Sequence, residues 1–139
     1  MVRSGTQTGY LRSAGAQPVS DTRERVRLTS TEKDKILLEM RVMLYSLSEI
    51  MQGLVANDLV KAERAARASE VAPAADPSFE KRLPPNFLQL GIRTHKRFGG
   101  LADAIKTGAT RDAVLKRLAA VTATCVTCHD TYRLDVTRE

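Results

Sequence analysis

The sequence predicts an all-α fold, an antiparallel up-down-up-down four-helix bundle, and three observations carry that expectation. Apolar residues recur at helical spacing through most of residues 31–135. No segment shows the alternation of a β-strand. Capping residues and mostly short polar joints separate the amphipathic stretches.

Residues 1–30 are rich in Gly, Ser, Thr, Gln and Arg without apolar periodicity, and predict a flexible N-terminal arm. The folded domain is expected over 31–139. Its first helix begins near Thr31, where Thr29 with Glu32, or Thr31 with Asp34, supplies an N-cap and an acidic first turn. Ile36, Met40, Met43, Leu47, Ile50 and Leu54 then recur at alternating steps of four and three, and Leu37, Leu44 and Met51 widen the stripe. The helix ends around Ala56 and Asn57, and Asn57 or Asp58 caps the next. That second helix, about 59–71, presents Leu59, Ala62, Ala65, Ala66 and Ser69, small residues that let a neighbouring helix or a flat ligand come close.

A linker around Phe79 follows, bounded by Pro73, Pro77, Pro84 and Pro85. The last two prolines suit the entry to a third helix, roughly 86–107, faced by Phe87, Leu90, Gly91, Thr94, Phe98, Leu101 and Ile105 and closed by Gly108. Thr110 caps a fourth helix, about 111–135, with Val114, Leu118, Val121, Cys125, His129 and Tyr132 on one side.

Composition excludes several function classes. A chain of 139 residues with 42% hydrophobic and 27% charged residues is long enough for one buried core and too apolar for wholesale disorder. No apolar run approaches the roughly 20 residues of a membrane-spanning helix. The net charge of +6 is divided evenly between residues 1–27 and a remainder in which both signs interleave, a weak footprint for nucleic acid, which is not expected as a partner. Two cysteines three apart do not staple a fold. Aromatic residues make up only 4% of the chain, with no Trp, so the predicted core lacks the usual aromatic mass. A bound flat cofactor is one way to supply it.

The chemistry is carried by Cys125-Val126-Thr127-Cys128-His129, the Cys-x-x-Cys-His signature of c-type haem attachment. Two thiols at this spacing form thioethers with the two vinyl groups on one porphyrin edge, and the adjacent imidazole reaches the iron from one face. Cys125 and His129 are one helical turn apart and share a face. Two other readings fit less well. A redox Cys-x-x-Cys pair normally sits at a helix N-terminus, where the dipole lowers the thiol pKa. A zinc site recruiting His95 has adjacent Cys128 and His129 straining a tetrahedron.

A helical bundle whose last helix reads CVTCHDTYR at 125–133 resembles the class II c-type cytochromes, the cytochrome c-prime group and its low-spin His/Met relatives. The resemblance is specific at those residues and rests on helix order alone for 31–124. It implies haem c (iron) attached at Cys125 and Cys128, with His129 as proximal ligand and Tyr132 covering the proximal side.

Helix geometry then nominates the sixth ligand. In an up-down-up-down bundle the level of His129 near the end of the last helix matches Met40 on the first, with Met43 the second choice and His95 a flanking residue. Arg41, Arg93, Arg97 and Arg133 are candidate partners for the haem propionates. In the cytochrome c-prime group an Arg on the first helix is followed four residues later by an apolar residue over the haem. Here Arg41 is followed at that spacing by Tyr45, a departure from the pattern.

The expected function is one-electron transfer with redox partner proteins, through low-spin His129/Met40 ligation. The alternative is a five-coordinate haem protein that binds NO or CO. No acid/base or nucleophile constellation suggests an enzyme. Residues 1–30 lack the apolar run of a secretory signal, yet haem c attachment implies a periplasmic location. A homodimer is compatible with such a bundle, with no interface located by sequence.

Overall fold

The computed structural model describes residues 20–72 and 76–137. The arm over 1–19 and the linker boundary at Pro73 lie outside the described residues. The elements run β1 (Glu24–Leu28), α1 (Ser30–Val55), α2 (Leu59–Ala68), α3 (Pro77–Glu80), α4 (Pro85–Lys106), α5 (Arg111–Thr131) and β2 (Tyr132–Val136). The described chain is therefore mostly helical, with one small sheet. No helix among the described residues is long and apolar enough to cross a membrane.

Local signals place the helix ends. Thr29 and Glu32 form a reciprocal capping box: the Glu32 amide donates to Thr29 Oγ1 at 3.2 Å, and the Thr29 amide donates to Glu32 Oε2 at 2.9 Å. Asp58 caps α2 through the Lys61 amide at 2.9 Å, and Thr110 caps α5 through the Ala113 amide at 3.2 Å. Gly108, at φ +82°, follows the end of α4 in the left-handed conformation that glycine adopts without strain.

Helix α1 packs on α2, α2 on α4 and α4 on α5. Gly53 lets α1 and α2 approach closely, because a Cβ there would lie 2.8 Å from the Asp58 carbonyl and 2.9 Å from the Ala62 nitrogen. One apolar cluster, including Ile50, Ala62, Ala66, Phe98, Leu101 and Val121, fills the space between these helices. A second gathers Val26, Leu28, Ile36, Phe87 and Tyr132. Met43 packs against the first cluster, whereas Met40 and Cys128 pack against the second.

Four expectations are corrected. The segment 24–28, expected within the flexible arm, is a strand, and the last helix ends at Thr131 rather than near 135. β1 and β2 pair in parallel, with Val26 opposite Leu134 and Leu28 opposite Val136. Helix propensity in Tyr-Arg-Leu-Asp-Val yields to pairing because Tyr132 is nearly buried beside Val26 and Leu28, which are 0% and 2% exposed. α2 stops at Ala68, short of the expected 71, and its small residues admit the neighbouring helices α1 and α4. The α1 stripe is narrower than expected: Leu44 and Met51 are 66% and 51% exposed.

Candidate functional site

Helices α1, α3, α4 and α5 enclose a cavity of about 390 Å³, within the usual range for small-molecule clefts. The last turns of α5 present Cys125, Cys128 and His129 to it, sharing one face by their spacings of three and four. α1 contributes Ile36, Met40, Met43 and Leu47, while α4 contributes Phe87, Leu90, Thr94 and His95. Phe79 and Leu83, from α3 and the turn after it, close a further side. The sequence signal for that part was only an aromatic residue in a proline-bounded linker.

Both cysteines are free and half-buried, and burial raises both thiol pKa values above the ordinary 9.0. The Cys125 thiol donates to the Val121 carbonyl at 3.6 Å, one turn back. At neutral pH the pair is thus held as thiols. A nucleophilic redox pair needs the opposite shift, toward thiolate.

His95 is hydrogen-bonded at one ring nitrogen and faces a carboxylate with the other. Nδ1 lies 2.8 Å from the Ser69 carbonyl, which can only accept, so Nδ1 carries the proton. Nε2 faces Glu39 Oε2 at 3.9 Å. The Glu39 carboxylate and the Ser69 carbonyl together raise the His95 pKa against the cost of burial. The Ser69 hydroxyl in turn pairs with Ser46 at 2.8 Å inside the helical core. These contacts make His95 a fixed part of the wall.

A pH dependence follows. The folded pKa of His95 lies above its ordinary 6.5, so its contribution to stability is fully present below 6.5 and is lost as pH rises through the folded value. Denaturant titration of the haem-free chain should give a midpoint that falls from pH 6.5 into the weakly alkaline range. His95→Gln should flatten that slope. An unchanged slope in the variant contradicts the assignment.

The remaining nominated residues are placed as follows. Tyr132 does not continue the helical face of His129: it takes an extended conformation (φ −122°, ψ 150°). Its ring meets Phe87 edge-on, with centroids 5.3 Å apart and planes at 77°, so it backs a cavity wall instead of lining one. No Lys or Arg lines the cavity among the described residues. Arg41 and Arg93 are exposed, and Arg97 donates to the Ala120 carbonyl at 2.5 Å. Arg133 lies on β2 with Nε 3.9 Å from Asp21 Oδ2, and that nitrogen is buried without a hydrogen bond. The propionate roles expected of these arginines are therefore not supported by cavity contacts. Arg41 follows Met40 by one residue, about 100° around the helix, and points outward. Tyr45 is 69% exposed, and Leu44 takes the place at the cavity instead.

Among the described residues no group of three or more His, Cys, Asp and Glu side chains is arranged to hold a metal ion by itself. Comparisons of the chain with protein-family models, with curated proteins and with solved structures found no match.

Proposed function

We propose that this chain is a c-type cytochrome that carries one covalently attached haem and passes single electrons between redox partner proteins. The observation that carries the proposal is the cavity: Cys125, Cys128 and His129 open onto one apolar cleft that Met40 also lines. The donor set and the lining fit a haem. Both sulfurs are free, as addition to a vinyl group requires, and the walls are mainly aliphatic and aromatic. The one departure is that no Lys or Arg among the described residues lines the cleft to pair with the propionates.

Cys125 and Cys128 would hold the haem through thioethers to its two vinyl groups, each the net addition of S–H across a double bond, so that no oxidant or reductant is consumed. His129 would hold the iron through an imidazole nitrogen and Met40 through its sulfur. Met40 is preferred to Met43 because it packs, with Cys128, against the cluster built on Ile36, Phe87 and Tyr132, whereas Met43 belongs to the other core. His95, with Nδ1 bonded to the Ser69 carbonyl and Nε2 facing Glu39, is read as a wall residue. When bound, haem c supplies a one-electron ferric/ferrous couple. Phe87, Leu90 and Ile36 keep water from the cleft. α1, α2, α4 and α5 are read as the antiparallel four-helix bundle, a reading supported by the packing of α1 on α2, α2 on α4 and α4 on α5. Haem c attachment places the mature protein in the periplasm.

A five-coordinate haem that binds NO or CO is the second reading. It is favoured by the exposure of Leu44 and Gly91 on the cavity lining, where a small gas could enter. Spectra recorded with and without CO separate the two. The carrier reading expects a low-spin oxidised spectrum and no CO reaction at room temperature. Rapid stoichiometric CO binding by a high-spin protein selects the second.

A further inference from the structure

Arg23, just before β1, reaches the end of α5 that bears the proposed iron ligand. Its Nη1 donates to the His129 carbonyl at 3.0 Å and lies 3.4 Å from the Tyr132 carbonyl. The His129 carbonyl is among the last four of α5, which have no partner within the helix. Its cap thus comes from 106 residues away in the chain. The other side of the same guanidinium is fixed: Nε and Nη2 donate to Asp21 Oδ1 and Oδ2 at 3.0 and 2.9 Å. The pairing of Glu24 with Tyr132 begins at the next residue, so the strand ladder holds Arg23 in register with the helix end.

We propose that Arg23 is a positioning residue for His129, capping the ligand's own carbonyl and setting a positive charge, partly neutralised by Asp21, against the turn of α5 that bears the ligand. The inference rests on the haem reading above. Helix ends fray without caps, and this end carries the ligand. A cation near the iron disfavours its oxidised, more positive state and so raises the midpoint potential. Both side chains are 40% exposed, so solvent and salt screen the effect, which is largest at low ionic strength.

The test uses Arg23→Gln and Asp21→Asn in the full chain, with potentiometric titration at low salt. Arg23→Gln removes the cation and should lower the midpoint potential. Asp21→Asn leaves the cation uncompensated and should raise it. A purely structural role moves both variants the same way, and that result, or an unshifted Arg23→Gln protein, overturns the proposal. Amide exchange on the haem-free chain reads the clamp separately: Arg23→Gln should speed exchange at residues 130–133 several-fold. Unchanged exchange there also overturns it. A wild-type chain that never acquires haem, yet shows the exchange effect, instead contradicts the haem reading and leaves the cap standing.

Discussion

Replacing Met40 with Ala should convert a low-spin haem into a high-spin one. The far-red band from Met sulfur to ferric iron should disappear, and CO should bind where it did not before. Met40 lines the cavity with the Cys-x-x-Cys-His residues and packs in the same cluster as Cys128. Alanine removes the sulfur, and the other methionine that lines the cavity, Met43, is packed on the other core. Met43→Ala is the matched control: it removes a sulfur from the same helix face but from a side chain packed on the other core. It should retain the band. Loss of the band in Met43→Ala alone would reverse the ligand assignment, and loss in neither would remove methionine from the iron.

Phe87→Ala should produce the largest stability change of any single residue that touches the site. The ring is 9% exposed, lines the cavity and receives Tyr132 edge-on. Truncating a buried Phe costs about 3–5 kcal/mol, through lost burial and the space left behind. The lost aromatic pair is part of that cost, about 1 kcal/mol. The second cluster also joins the sheet to the helices, so the change should loosen β2 as well. Denaturant unfolding of the haem-free variant measures it, and a cost under about 1 kcal/mol contradicts the packing described.

The helical part of this fold was legible because its signals are local. The Thr29–Glu32 box, the Asp58 and Thr110 caps and Gly108 sit where sequence reasoning put them. The α1 stripe from Ile36 to Leu54 was read correctly at its centre and too generously at its edge. What stayed hidden was long-range. Glu-Arg-Val-Arg-Leu and Tyr-Arg-Leu-Asp-Val each alternate over only five residues, too few to outweigh the helical pattern running into Tyr132. They become strands because each covers the other across the whole chain. The same blindness explains the arginines. Arg23 was counted as arm charge, yet it caps α5, while Arg41 and Arg133, named as guanidinium partners for the haem propionates, do not line the cleft.

Within the candidate site, the motif and both methionines converge on one cavity, as helical spacing implied. Its floor does not follow from spacing. Phe79 and Leu83 arrive through a single short turn, and His95 is fixed by a carbonyl at the end of another helix. Both depend on how the linker and α2 fold back. Neither leaves a periodic trace in the sequence.

The proposed covalent bond between the chain and haem is tested most directly by the intact mass of the protein, expressed with export and haem attachment, under denaturing conditions. The wild-type chain should carry the mass of one haem that acid and organic solvent do not remove. The Cys125→Ala/Cys128→Ala double variant should show the polypeptide mass alone. A wild-type chain at the bare polypeptide mass, with both thiols free to alkylation, contradicts the account.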